Sequence, residues 1–210
     1  MKKLTKKEYI TLREGAEVIE SDAHGDKVLL LIDGTYLKLF RRKRLISTAL
    51  IFPYGQRFAK NATKLALLDI PSVSIIELYQ IPSAQRTAVH YNPLTGTTLR
   101  ELPNGIDEAL AGKLGTFIRC LHDKGIYFRS LHLGNIVLTP ENQLGLIDIS
   151  DMKFLKNPLS LKLRQRNFKH SARYPNDRDT LKRTITAFNQ GYQSTGESPI
   201  TEQELRTIYT

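Results

Sequence analysis

The sequence predicts an α+β fold in two parts, a small sheet with one helix followed by a mostly helical half. Two short apolar segments, residues 28–32 and 36–40, flank Asp33-Gly34, a dipeptide typical of two-residue hairpin turns. Farther along, apolar residues recur at helical spacing through residues 110–121. Pro93 and Gly96 mark a break between these patterns. We therefore predict a first part over residues 1–92 and a second over residues 93–210.

The first part contains five predicted strands and one predicted helix. The strands cover residues 17–20, 28–32, 36–40, 73–81 and 87–91. Phe58, Ala62 and Leu65 share one face of a helix over residues 54–68, which Asp69-Ile70-Pro71 ends. This order of elements predicts an antiparallel sheet accompanied by one helix.

The second part begins with a long helix that ends near Lys124-Gly125, where glycine is a natural terminator. Short strands follow at residues 136–138 and 144–147, and helices are predicted over 159–172 and 178–192. Thr201 with Glu204 forms a capping box, which predicts the start of a last short helix.

Hydrophobicity, cysteine content and net charge limit the kinds of protein this chain can be. No stretch approaches the roughly 18 apolar residues of a membrane span, and no signal peptide follows Met1, so we expect a cytoplasmic protein. A single cysteine, Cys120, excludes an internal disulfide framework and a cysteine-based zinc site. The net charge of +10 favours anionic partners, with basic stretches at residues 41–44 and 162–173. A solvated basic face explains those stretches equally well.

Nucleic acid is an unlikely partner. Phe52, Tyr54 and Phe58 lie near the first basic stretch, where aromatic rings can stack on bases. They are better explained as core and helix-entry residues.

Two segments carry the chemistry, residues 127–135 and residues 146–151. Asn135 lies five residues after Ser130, and Asp148 ends an apolar strand. Amide and carboxylate oxygens are ligands that magnesium accepts alongside water and phosphate. The alternative interpretation is a turn asparagine and a strand-terminal aspartate, which are both common.

These segments resemble the catalytic loop and the metal-binding loop of the two-lobed protein kinase-like fold. Over nearly its whole length the chain resembles the bacterial branch that holds the lipopolysaccharide core heptose and Kdo kinases, and in particular the toluene tolerance or InaA-like proteins. The resemblance lies in residues 40–44, 87–91 and 128–135, with a basic run ending in Asn167-Phe168. It implies ATP and magnesium as cofactors, with Asn135 and Asp148 as metal ligands.

The same resemblance implies a nucleotide site in the first part. Lys38 lies in the middle of the third strand, where such kinases keep a lysine that reaches the phosphates. Strand alternation places it on one face with Tyr36 and Phe40. His90 and Tyr91 are the other two residues assigned to cofactor binding. The alternative for Lys38 is an exposed strand lysine.

The chain departs from the kinase pattern at the catalytic base, because Ser130 stands where such kinases keep an aspartate. A hydroxyl needs an activator to act as a base, and loss of a general base costs about 10²- to 10⁴-fold in rate. His132 is a candidate substitute, since histidine titrates near neutral pH, and Asp151 is another. A histidine in this loop is more often structural. The predicted helix at 54–68 has no acidic residue to pair with Lys38, and the phosphate-covering turn has only Gly25.

Two functions therefore remain open, and whether the protein is an enzyme is undecided by the sequence. One is an ATP-dependent phosphotransferase acting on a lipopolysaccharide core sugar or another small molecule. The other is a catalytically degenerate pseudokinase that binds or regulates in envelope biogenesis or solvent stress. Predicted partners are a nucleotide, an anionic sugar or lipopolysaccharide precursor, and, peripherally, the inner membrane.

Overall fold

The computed structural model describes residues 1–41, 54–194 and 200–210. Residues 42–53, which include most of the first basic stretch and Phe52, lie outside that description. The described residues form an α+β protein with seven α-helices and a mixed six-stranded sheet, so the predicted class is confirmed. The chain divides into two compact units, residues 1–94 and 95–210. No helix in the described ranges is long and apolar enough to cross a membrane.

The first unit is built on the six-stranded sheet. Its elements are β1 (Lys2–Lys3), α1 (Lys6–Leu12), β2 (Glu17–Asp22), β3 (Gly25–Leu30), β4 (Tyr36–Arg41), α2 (Tyr54–Ala66), β5 (Ser74–Ile81) and β6 (Arg86–Asn92). The strand order is β1-β5-β6-β4-β3-β2. All neighbouring strands are antiparallel except β1, which runs parallel to β5 and makes the sheet mixed.

The hairpin between β3 and β4 is confirmed, but its loop has three residues instead of the predicted two. The Leu31 amide donates to the Thr35 carbonyl at 2.8 Å, and the Gly34 amide donates back to the Leu31 carbonyl at 3.0 Å. Gly34 has φ +81°, the left-handed conformation that closes such a three-residue loop. The Asp33-Gly34 pair thus marks the turn correctly, while the turn itself begins earlier.

Each face of this sheet packs against a different helix. Leu29, Leu37 and Leu39 point to one face, where Tyr9 and Leu12 of α1 pack against them. The opposite face is covered by α2, whose Phe58 lies 6.2 Å from Phe40 between ring centroids. Helix α1 was not predicted from the sequence, although Thr5 and Glu8 form a capping box at its start.

The second unit combines helices with two small sheets. Its elements are β7 (Thr97–Thr98), α3 (Glu108–Asp123), β8 (Ile126–Phe128), β9 (Ile136–Leu138), β10 (Leu144–Leu146), β11 (Met152–Phe154), α4 (Leu161–Ser171), α5 (Pro175–Arg183), α6 (Ile185–Gln193) and α7 (Glu202–Ile208). The sheets are β10-β9-β7 and β11-β8. The capping box of Thr201 and Glu204 at the start of α7 is confirmed.

The single helix predicted over residues 178–192 is wrong, because two helices meet there at Thr184. Thr184 has φ −106° and ψ 18°, outside helical values, and its hydroxyl donates to the Thr180 carbonyl at 3.1 Å. That local bond offers the backbone an alternative to continued helix. The break allows Leu181 of α5 and Ile185 of α6 both to be buried.

A buried polar network fixes α3, α4 and α6 around the end of β8. His122 bonds the Tyr192 hydroxyl through Nδ1 at 2.8 Å and Asn167 Oδ1 through Nε2 at 3.1 Å. The Asn167 amide in turn donates to the Phe128 carbonyl. Burial lowers the pKa of His122 to about 3, so the ring is neutral at pH 7. This network anchors the chain two residues before Ser130.

Candidate functional site

The loop from Arg129 to Asn135 links β8 to β9 and carries three of the predicted site residues, Ser130, His132 and Asn135. The Leu131 amide donates to the Phe128 carbonyl at 3.2 Å, and the Asn135 amide donates to the His132 carbonyl at 2.9 Å. Leu131 and Leu133 are buried below the loop. Ser130, His132 and Asn135 are therefore carried by a backbone that hydrogen bonds and buried leucines hold in place.

Ser130 is paired with a carboxylate. Its hydroxyl donates to Asp151 Oδ2 at 2.7 Å. Asp151 belongs to the turn Ile149–Asp151 that leads into β11, and β11 pairs with β8 so that Met152 lies opposite Phe128. Asp151 Oδ1 is buried and has no hydrogen-bond partner among the described residues. The structure thus places Asp151, one of the two candidate substitutes for the missing base, beside Ser130.

Asn135 is held by both its side chain and its backbone. Its Nδ2 donates to the Ser130 carbonyl at 3.0 Å, so the amide oxygen is the end of the side chain that is left to accept or to ligate. Its carbonyl accepts from the Ile147 amide at 3.1 Å. Asp148 follows Ile147 directly, is exposed, and has φ +50°. The two predicted metal ligands therefore lie on adjoining segments of one unit.

The donor set at these positions fits magnesium with a nucleotide. In the described parts of the chain, no group of three or more histidine, cysteine, aspartate and glutamate side chains could hold a metal ion by itself. Asn135 and Asp148 offer an amide oxygen and a carboxylate, which are hard oxygen ligands. Magnesium commonly takes one or two such ligands and completes its shell with water and phosphate oxygens.

His132 is directed to a different set of partners from Ser130. Its Nδ1 lies 3.3 Å from Arg100 Nη2, and its ring centroid lies 4.4 Å from that of Tyr174. Because arginine only donates, Nδ1 is the acceptor in this contact. Burial, and secondarily the Arg100 charge, lowers the pKa of His132. The geometry supports a structural role, since the Ser130 hydroxyl donates to Asp151 instead.

Asp177 is a site residue that the sequence analysis missed. Its side chain is 1% exposed and accepts from Arg100 Nε at 2.9 Å and Nη2 at 2.8 Å. The same carboxylate accepts from the Leu133 backbone amide at 2.8 Å. It ties the loop to the first turn of α5 and to Arg100. In sequence it looks like an ordinary acid in the first turn of a helix, so no local signal separates it from others.

The first unit separates the three residues assigned to cofactor binding. Lys38 lies opposite Val89, and Tyr36 lies opposite Tyr91, so Lys38 and Tyr91 share the face covered by α2. The Lys38 ammonium is 5.6 Å from the centroid of the Phe58 ring. His90 lies opposite Leu37, on the other face of the sheet. The structure therefore brings Lys38 and Tyr91 to one face of the sheet and His90 to the other.

His90 has its own local partners. Its Nε2 lies 2.6 Å from the Thr35 hydroxyl, which itself donates to Asp33 at 2.6 Å. Its Nδ1 is buried and accepts no hydrogen bond within the described chain, and burial lowers its pKa. These contacts tie β6 to the β3–β4 hairpin.

Comparison of the chain with protein-family models gives no match, and comparison with curated proteins gives none either. The family resemblance therefore rests on the sequence segments that carry it. The function has to be argued from the geometry of the two units.

Proposed function

We propose that this protein is a two-lobed, kinase-like phosphotransferase that uses ATP and magnesium to phosphorylate a lipopolysaccharide core sugar or another small molecule. The observation that carries the proposal is the Ser130–Asp151 hydrogen bond of 2.7 Å in the loop that also holds Asn135. It supplies a carboxylate where the kinase pattern has lost one.

Phosphoryl transfer depends on positioning and charge neutralisation more than on covalent chemistry by the protein. Asn135 and Asp148 are the residues that would hold magnesium, which neutralises phosphate charge. Ser130 with Asp151 would orient the acceptor hydroxyl and take its proton. Asp177 positions the loop through Leu133. Lys38 would contact the phosphates, and Tyr91 lies on the same face of the sheet. His90 lies on the opposite face and is not part of the proposed nucleotide site.

A second function, a pseudokinase in envelope biogenesis or solvent stress, is favoured by one specific observation. Ser130 presents a hydroxyl at the position where kinases keep the aspartate that acts as base. In this alternative, Asn135 and Asp148 bind a magnesium nucleotide as a regulatory ligand without turnover. Either function places the protein in the cytoplasm, with peripheral contact at the inner membrane as the link to lipopolysaccharide precursors.

The first test is a thermal shift with ATP, with and without magnesium, on the wild type and Asp148→Asn. Asparagine tolerates the left-handed backbone at this position, so the variant removes charge without adding strain. A ligand at about 100 times its Kd stabilises the folded state by about 2.7 kcal/mol. We expect the wild type to gain stability only when magnesium is present, and Asp148→Asn to lose that gain.

Asp179→Asn is the matched control, because Asp179 is exposed on α5 and the charge change is the same. An equal magnesium-dependent shift in Asp148→Asn and the wild type would remove the metal assignment. Transfer of labelled phosphate from ATP to lipopolysaccharide core sugars then separates the two functions. Magnesium-dependent binding without transfer would favour the pseudokinase.

A further inference from the structure

Three exposed arginines lie on the segments next to a buried histidine in the second unit, and we call them the arginine cluster: Arg129, Arg166 and Arg173. Arg129 precedes Ser130 in the loop, Arg166 lies on α4, and Arg173 follows the end of α4. The histidine is His170, which is 7% exposed. Three positive side chains from two separate segments thus converge beside the candidate site.

The convergence follows from one contact and from helix geometry. The Tyr127 hydroxyl and His170 Nε2 are joined by a hydrogen bond of 3.0 Å, which brings the end of β8 against α4. Arg129 lies two residues beyond Tyr127. Arg166 lies four residues before His170, one turn away on the same side of α4. Arg173 lies just beyond the end of α4, where its amide donates to the His170 carbonyl at 3.4 Å.

The charges of the cluster are not neutralised by the protein. Within the described residues, no carboxylate pairs with any of its three guanidinium groups. By contrast, Arg100 and Arg164 of the same unit each pair with an aspartate. Burial lowers the pKa of His170, and the charges of all three cluster arginines lower it further, whereas Asp151 acts in the opposite direction.

We propose that the arginine cluster binds a phosphate-type dianion carried by the acceptor. Planar guanidinium groups match phosphate oxygens in pairs, and several of them together neutralise a double charge. Arg129 is adjacent to Ser130 in the chain, so the bound anion would lie near the loop that carries the Ser130–Asp151 pair. The identity of the anion as part of an acceptor rests on the proposed function. A sugar phosphate and a phosphomonoester lipid headgroup share this chemistry.

The test is titration of the protein with inorganic phosphate at low ionic strength, by calorimetry. The variants are Arg166→Gln and Arg166→Gln with Arg173→Gln. We expect the Kd for phosphate to rise about tenfold in the single variant and further in the double one, as loss of charge-assisted contacts predicts. Lys169→Gln with Lys162→Gln is the matched control, since it removes two exposed positive charges from the same helix. The control is expected to change Kd by less than about twofold.

Equal weakening in the cluster and control variants would overturn the proposal, because it would show general attraction to a basic surface. Phosphatidylcholine vesicles with and without phosphatidic acid, whose phosphomonoester can carry two negative charges, distinguish the sources. Loss of binding to the phosphatidic acid vesicles in the cluster variants alone supports a lipid headgroup, and loss of phosphate binding alone supports a soluble sugar phosphate. If the Arg166 and Arg173 variants do not fold, Arg129→Gln, which lies in a different segment, replaces them in the titration. The thermal shift with magnesium and ATP is measured separately. A negative result there would count against the kinase proposal, and the phosphate titration would still decide whether the anion site exists.

Discussion

Removal of the Asp177 carboxylate should loosen the loop that carries Ser130 and Asn135. The Asp177 side chain is 1% exposed and accepts three hydrogen bonds, two from Arg100 and one from the Leu133 amide. Asp177→Ala leaves both partners without their acceptor. The variant therefore tests whether this carboxylate anchors the loop.

The magnitude follows from the burial of the two sides of the pair. Breaking a buried ion pair costs about 3–5 kcal/mol, because one charge is left uncompensated. The Arg100 side chain is 38% exposed and can be rehydrated, which places the loss at the lower end of that range. The buried Leu133 amide loses its acceptor as well, at about 1–3 kcal/mol, but the two losses share one carboxylate and do not add fully. We expect the free energy of unfolding to fall by about 3 kcal/mol.

Urea unfolding followed by circular dichroism measures the total effect, and hydrogen exchange at the Leu133 amide measures the local one. Asp179→Ala is the control, since Asp179 is exposed on the same helix and its loss should cost under about 0.5 kcal/mol. Similar stability losses in the two variants would refute the anchoring role. Unchanged exchange at the Leu133 amide would refute it independently.

Two further outcomes concern packing and pH. Gly191→Ala should lower the free energy of unfolding by about 1–3 kcal/mol in urea, because a Cβ there would lie 1.8 Å from the Gly112 carbonyl oxygen. Gly112→Ala is the control and should be tolerated, because a Cβ at Gly112 would lie 3.5 Å from the Ala187 carbonyl oxygen. An equal loss of stability in the two variants would contradict this reasoning. His122 has its pKa lowered to about 3, so the unfolded state binds the extra proton between pH 6.5 and pH 3 and stability falls as pH decreases through that window. The free energy of unfolding, measured in urea at each pH, should fall by about 1.4 kcal/mol per pH unit because of this group. His122→Gln should lack this contribution to the slope. Identical slopes in the wild type and His122→Gln would exclude a buried neutral ring.

Periodic patterns predicted the longer elements well. Helices α2 and α3 and the strands β5 and β6 show clear helical or alternating spacing, and the structure has them at nearly the expected positions. Strands β8 and β11 have three residues each, too few to show a period. The break at Thr184 depends on a bond between a side chain and a carbonyl, which apolar spacing does not reveal.

The candidate site was predictable only where its residues are close in sequence. Asn135 stands five residues after Ser130, and their contact follows from that short loop. Asp177 and Arg100 are 77 residues apart, and their pairing depends on how α5 returns to the loop. Two members of the arginine cluster, Arg166 and Arg173, lie in the basic stretch over residues 162–173 that the sequence shows. The approach of Arg129 depends on the contact between β8 and α4, which the sequence does not show.

Ser130 and Asp151 are best understood as a coupled pair. The pairing of β8 with β11 brings their side chains to 2.7 Å, so a second carboxylate at position 130 would lie against the first. Two carboxylates at such a distance cannot both stay ionised without a large cost, and one would retain a proton. A serine at position 130 avoids that repulsion and donates the hydrogen bond that holds Asp151 in place. Under the proposed function, the carboxylate that acts as base would therefore come from the turn before β11 instead of from position 130 in the loop after β8.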